Sequence, residues 1–309
     1  MIRKPFCEPQ SRQPHRELFC APASRMTTNQ SSYCGWQQTR MQNAEIARNG
    51  SVMRILLTND DGIYAPGILA AKTALDSLGD VWMVAPERPR SAAGHAITLH
   101  KPLRILPIAL PNGMKGYATN GTPTDCVTLG HDVVMEGRCD LVVSGINGGP
   151  NLGWDLTYSG TVAAAMEGAV LNVPSFAISL ACDHRVDITG PEQFAAAAAF
   201  AARLARRLVE HPLPPNTLLN VNVPDVPEAA IQGVAVTHQG RREYVDRIEP
   251  RVDPSGRPYY WQTGSLREET PDPGSDVHAI LQNQISVTPI HLDLTAYALL
   301  DSLKDLTGD

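Results

Sequence analysis

No stretch of this sequence stays apolar for the roughly 18–20 residues of a membrane span, because glycine, proline or charge interrupts each long hydrophobic segment. The N-terminal residues lack the apolar central run of a secretory leader, so none is expected. Basic charge is in deficit. The formal net charge of −6 argues against a general affinity for nucleic acid polymers, while leaving room for one small phosphate site. Clustered cysteines are missing as well. Cys7, Cys20, Cys34, Cys126, Cys139 and Cys182 form no Cys-x-x-Cys pair and no His/Cys cluster, so neither structural zinc nor a disulfide framework is expected. A reducing cytoplasm is the natural setting. Nucleotide-binding signatures fail too. Gly145-x-Asn147-Gly148-Gly149 does not have Gly-x-Gly-x-x-Gly spacing, and no Gly-x-x-x-x-Gly-Lys-Ser/Thr occurs, which disfavours an NAD-dependent oxidoreductase. No Gly-x-Ser-x-Gly elbow supports a serine hydrolase, and no internal repeat is found.

What is present suits a globular chain of one large α/β domain or two smaller ones. It has 309 residues, 43% of them hydrophobic and 19% charged. Residues 1–52 stand apart. They are rich in Arg, Gln, Ser and Asn, lack apolar periodicity, and carry seven basic and three acidic side chains. The remainder therefore holds 19 basic and 29 acidic residues, a formal charge of −10. This segment reads as a disordered extension, or as the product of a start assigned too early, since Met53 directly precedes Arg54-Ile55-Leu56-Leu57.

From Met53 onward strands and helices alternate. Strands are expected at Arg54–Thr58, Val81–Ala85, Asp140–Ser144, Ser175–Leu180 and Leu218–Val223, with weaker candidates at Ile97–Leu106 and Gly116–Thr119. Helices are expected at Pro66–Leu78, from Thr122 to about Met135, at Val162–Leu171 and at Pro191–Glu210. This alternation predicts a doubly wound, mostly parallel α/β sheet over residues 53–309, with helices on both faces. After Pro224 the pattern changes to a strand at Ile231–His238 and a long aromatic hairpin over Arg241–Gln262, turning at Asp253–Gly256. Such a hairpin is marginal alone, so residues 225–290 are expected to pack on a neighbour, a second subunit included. A strand at Gln284–Pro289 and a helix at Leu294–Leu306 close the chain.

Three of these strands end in polar loops that share one edge of the sheet: Asn59–Gly62, Arg88–His95 and Gly145–Gly153. Asp60 and Asp61 bring carboxylates, Ser91 a hydroxyl, and Asn147 and Asn151 amide oxygens. Adjacent carboxylates at a strand end repel each other unless a cation or donor intervenes, and hard oxygen ligands suit Mg or Mn. Ser159-Gly160-Thr161 opens a helix and offers hydroxyls and unpaired N–H groups to an anion. Blander roles are open for each residue. Asp60 and Asp61 suit a solvated turn, Ser91 a loop hydroxyl, Asn147 and Asn151 turn positions, and Ser159 or Thr161 an ordinary helix cap. His95 reads either as a general acid or phosphate donor, or as a polar loop residue.

The motif Arg54–Gly67, R-I-L-L-T-N-D-D-G-I-Y-A-P-G, resembles the opening of the SurE family of stationary-phase survival proteins with 5'-nucleotidase activity. The likeness continues through Val84-Ala85-Pro86 to Ser91, Gly121–Val127, Val143–Gly153, Tyr158–Gly168, Leu219–Pro224 and Ile285–Pro289. It covers Met53 to the C-terminus and omits the first 52 residues. The resemblance implies a Rossmann-like core with a C-terminal extension that helps form homodimers or homotetramers. It also implies one divalent ion, Mg2+ or Mn2+, bound by Asp60, Asp61, Ser91 and Asn147. Nucleoside monophosphates are the implied substrates, with 3'-nucleotides and short polyphosphate cleaved by some members. The expected reaction is metal-assisted phosphomonoester hydrolysis. Asn151, Ser159, Gly160, Thr161 and His95 would hold the phosphate, and Asp60 or Asp61 would take a proton from water. A non-catalytic metal- or nucleotide-binding module on the same edge is the alternative.

Overall fold

The computed structural model describes residues 52–183, 188, 190–267 and 271–307. Apart from Val52, the expectation for residues 1–52 lies outside the described residues. The chain opens on β1 (Met53–Thr58), whose Ile55, Leu56 and Leu57 are fully buried. A strand covered on both faces needs such an unbroken apolar run rather than an alternating one. Helix α1 (Pro66–Leu75) follows, with proline in its first turn, and leads to β2 (Gly79–Pro86). Next come β3 (Ile105–Ala109) and β4 (Lys115–Thr119). Helix α2 (Pro123–Leu129) starts where the sequence places it. The Thr122 side chain accepts from the Asp125 N–H, and the Asp125 carboxylate accepts from the Thr122 N–H.

The second half of the core is β5 (Leu141–Gly148), α3 (Gly160–Val170), β6 (Ser175–Ala181), α4 (Ala195–Glu210) and β7 (Thr217–Pro224). Alternate residues of β1 face opposite ways. Ile55 and Leu57 pack in the cluster containing Ile68 and Leu75 of α1 and Phe200 and Ala201 of α4. Leu56 packs in a second cluster, with Cys126 and Val127 of α2 and Ala164 of α3. The sheet is thus sandwiched between two helical layers.

C-terminal to this core run β8 (Val234–Val236), β9 (Tyr244–Val245), β10 (Ile248–Val252), β11 (Pro258–Gln262), β12 (Ser265–Leu266), α5 (Asp276–Leu281) and β13 (Ile285–His291). Nine strands form one sheet in the order β3-β4-β2-β1-β5-β6-β7-β13-β8. All its pairings are parallel except β3 on β4 and β13 on β7. From β1 the chain winds first towards β2 and β4, then returns to β5 and continues through β6 and β7. The winding reverses between β1 and β5, where open α/β sheets place their ligands.

Several expected elements shift. No strand spans Ile97–Leu106. The N–H groups of Thr98 and Arg104 donate to the Asp125 and Asn120 side chains instead of to a strand neighbour, and β3 begins only at Ile105. The strand expected at Ile231–His238 contracts to β8, with the Gln232 N–H given to the Asn283 carbonyl. The aromatic hairpin forms as two short ladders, β10 with β11 and β9 with β12. Asp253 closes its tip by accepting from the Ser255 and Arg257 N–H groups at 2.8 and 2.9 Å. The helix expected at Leu294–Leu306 is replaced by a single tight turn at Tyr297–Leu299 and a short α6 (Lys304–Thr307). Its apolar side chains, Leu294, Tyr297 and Leu300 among them, are exposed. A short helix gains most of its stability from a buried face, and the described side chains of this segment form none.

Candidate active site

The turn after β1 is built by Asn59, which is fully buried. Its amide donates to the Gly62 carbonyl at 3.0 Å and accepts from the Gly62 N–H at 3.2 Å, folding the chain back at the strand end. The Ile63 N–H reaches the Pro86 carbonyl at 2.9 Å, and the Arg90 N–H reaches the Asp60 carbonyl at 2.7 Å. The loops after β1 and β2 are therefore tied together, so Asp60, Asp61 and Ser91 share one edge. A third tether joins the Gly94 N–H to the Tyr158 carbonyl at 3.0 Å, fixing the Ser91 loop to the approach of α3.

These loops enclose a cavity of about 290 Å³ lined by Asp60, Asp61, Ser91, Asn147, Asn151 and Ser159, with Ala92, Gly148, Asp155 and Tyr158 completing the wall. Asp60 is buried, and its Oδ1 accepts from the Thr161 hydroxyl. Gly160 makes this possible. A Cβ there would lie 2.8 Å from the Asp60 Cβ and 3.0 Å from its Oδ2, so only glycine lets the start of α3 approach so closely. Asp61 Oδ2 accepts from the Gly148 N–H at 3.2 Å. Burial, reinforced by the neighbouring charge of Asp61, pushes the Asp60 carboxyl up to about 6. Burial also raises Asp61.

Asn147 spends its amide N–H on the Gly149 carbonyl at 2.8 Å. Asn151 is held from four sides. Its N–H donates to Asn222 Oδ1, its side-chain amide donates to Ser179 Oγ, and its carbonyl accepts from both Asn220 and Asn222. Ser159 caps α3 by accepting from the Val162 N–H at 3.1 Å.

Six of the residues singled out by sequence thus meet in one cavity, and three stand outside its lining. Thr161 is fully buried behind Asp60, Gly160 packs against it, and His95 pairs through Nε2 with Glu167 Oε2 at 3.0 Å. Asp155 and Tyr158 were not singled out, since nothing local distinguishes Asp155 from a surface carboxylate. What marks it is contact with Arg242 and Tyr244, far along the chain.

A divalent cation fits this donor set. A buried and a half-buried carboxylate side by side, both of raised proton affinity, need a positive partner, and the other candidate ligands are neutral oxygens suited to a hard ion. Among the described residues no three His, Cys, Asp or Glu side chains cluster for a metal, so a bound ion would rely on two carboxylates, neutral oxygens and water.

Fold and cavity together define a Rossmann-like α/β protein with an acidic, oxygen-lined cleft at the reversal point of its sheet. The family model of the survival protein SurE matches residues 55–246, and this chain belongs to that family. It is 51% identical over 253 residues to the 5'-nucleotidase SurE of Geobacter metallireducens, covering 82% of this chain and 96% of that protein. The 5'-nucleotidase SurE of Heliobacterium modesticaldum is 47% identical over 257 residues, 83% of this chain and 92% of its own. The crystal structure of the SurE protein from Aquifex aeolicus superposes with a TM-score of 0.71 at 42% identity, covering 82% of this chain and 99% of that one. No described helix is long and apolar enough to cross a membrane.

Proposed function

We propose that this chain is a divalent-metal-dependent phosphomonoesterase that hydrolyses nucleoside 5'-monophosphates to nucleoside and phosphate, with 3'-nucleotides and short polyphosphate as further substrates. The observation that carries this reading is the buried Asp60 beside the half-buried Asp61, both opening into a cavity whose other candidate ligands, Ser91 and Asn147, are neutral oxygen donors. The 5'-nucleotidase names of relatives near 50% identity support the substrate class. Asp60, Asp61, Ser91 and Asn147 would hold one Mg2+ or Mn2+, which would supply positive charge beside the phosphoryl group and acidity to a water. Asn151, Ser159 and the N–H groups at the start of α3 orient the phosphate, and either aspartate accepts the proton of the attacking water. Thr161 acts through Asp60, which it holds in place.

The protein would work in the cytoplasm as a homodimer or homotetramer built on its C-terminal extension. The unpaired thiols of Cys126, Cys139 and Cys182 suit a reducing compartment, and the exposed Tyr260 and Trp261 suit a subunit contact. The deciding experiment measures inorganic phosphate released from AMP, GMP and their 3' isomers with Mn2+, Mg2+ or a chelator. Release from the 5' isomers that stops with chelator is expected. Nucleotide binding without any release would identify a non-catalytic binding module instead.

A further inference from the structure

Three carboxylates line the cavity, although a single cation site accounts for two. The third, Asp155, sits in the tight turn Gly153–Thr157 that carries the chain from the end of β5 to α3. A phosphomonoester is close to doubly negative at neutral pH. An uncompensated carboxylate in the same wall would repel it across a partly desolvated gap. Asp155 is not uncompensated. Its Oδ2 accepts from the Arg242 guanidinium at 2.6 Å and from the Tyr244 hydroxyl at 2.6 Å. Both donors converge on one oxygen, with the side chains of Arg242 and Asp155 only 13% and 20% exposed.

The supports of these donors are also fixed. Arg242 lies over the Tyr244 ring, 5.8 Å from its centroid. Burial and the neighbouring carboxylate push the Tyr244 phenol up to about 12, so it stays a proton donor at neutral pH. The strap Gln239–Tyr244 is pinned to the same turn. The Gln239 side chain donates to the Gly153 carbonyl at 3.0 Å, and the Gly240 and Gly153 N–H groups each donate to Asp276 at 2.8 Å.

We infer that Arg242, assisted by Tyr244, is a positioning residue that neutralises Asp155, so that the C-terminal strap sets the affinity of the cavity for the phosphate group of its substrate. The inference rests on the phosphomonoesterase reading for its ligand. It assigns Arg242 no contact with the reacting atoms. Its action is on ground-state binding, so it reads out in KM and in phosphate affinity, with the metal site left intact.

The test compares wild type, Arg242→Gln, Asp155→Asn and the double variant. Arg242→Gln is expected to raise KM for the nucleoside monophosphate about tenfold or more, the cost of exposing an unpaired charge, with kcat within about twofold. The affinity for inorganic phosphate, titrated calorimetrically with Mn2+ present, should fall in parallel, and Mn2+ binding alone should not change. Adding Asp155→Asn to Arg242→Gln should return both values to within about threefold of wild type. An unchanged KM and phosphate affinity in Arg242→Gln overturns the inference. A double variant as weak as the single one also overturns it, since Arg242 would then act on the phosphate itself or on the fold. Should Arg242→Gln fail to melt cooperatively, Tyr244→Phe decides, with a smaller loss of phosphate affinity relieved by Asp155→Asn. If wild type binds phosphate but releases none from nucleotides, the phosphomonoesterase reading fails, and the calorimetric comparison still decides the role of Arg242.

Discussion

At the scale of single residues, Asp60 is the catalytic candidate held under the clearest electrostatic tension. Its carboxyl is buried beside a second carboxylate and is pushed up to about 6 from the usual 3.8. A carboxyl that binds its proton more tightly when folded adds stability that is fully present below about pH 4 and is lost as pH rises through about 6. The metal-free protein therefore carries a charged, poorly solvated Asp60 at pH 7. Asp60→Asn keeps an acceptor for Thr161 while removing that charge. It is expected to stabilise the chelator-treated protein by about 1–3 kcal/mol at pH 7, with the advantage vanishing near pH 4. The same variant should lose hydrolysis and should no longer gain melting temperature from Mn2+. Melting curves across this pH range with and without Mn2+ are the check, and a variant that melts below wild type in chelator at pH 7 refutes the account. The place of Asp60 at the sheet edge was legible in the sequence because an apolar run that stops at two carboxylates and a glycine marks a strand end. Asp155 was not, because its significance lies in Arg242 and Tyr244, 87 and 89 positions away.

At the scale of elements, what could be read depended on whether a segment carries its own reason to form. The start of α2 was legible because Thr122 and Asp125 satisfy each other's backbone, a bargain closed within four residues. Strand β1 was legible because burial on both faces demands an unbroken apolar run. The Leu294–Leu306 segment has helical spacing, but its apolar side chains lie exposed among the described residues, and periodicity alone does not reveal that. Helix α5 shows the opposite case, a six-residue element whose first residue matters more than its length. Asp276 is fully buried and accepts from the N–H groups of Gly153, Gly240 and Val277, each at 2.8 Å. Asp276→Ala leaves at least two buried N–H groups without a partner and should cost about 3 kcal/mol or more. Asp276→Asn, which keeps one acceptor, should cost less. Urea unfolding measures both, with an unchanged slope expected because the exposed area on unfolding is the same. Equal stability for wild type and Asp276→Ala is the result that would count against this clamp.

At the scale of the whole molecule, the sheet order and the extension answer to different constraints. Right-handed crossovers laid down on either side of the first strand make the sheet doubly wound, which the alternation of elements anticipated, while the place of the reversal between β1 and β5 came only from the strand order. The β10–β11 hairpin has no such anchor. All ten of its strand residues are exposed, among them Ile248, Val252, Tyr259, Tyr260 and Trp261. Two strands with aromatic side chains in water are marginal by themselves, so a second copy of the chain is the expected cover. The hairpin can be removed without cutting the core, because the Thr263 N–H already donates to the Arg247 carbonyl at 2.8 Å and the two ends lie side by side. Replacing residues 248–262 with an Asn-Gly turn should leave the melting temperature of the core within a few degrees, since no cluster of buried side chains includes those residues. Arg242 and Tyr244 lie outside the cut and continue to hold Asp155. Light scattering should then report a smaller assembly than wild type at the same micromolar concentration. An identical mass for both proteins would move the subunit contact away from the hairpin and leave its exposed aromatic face without a role in assembly.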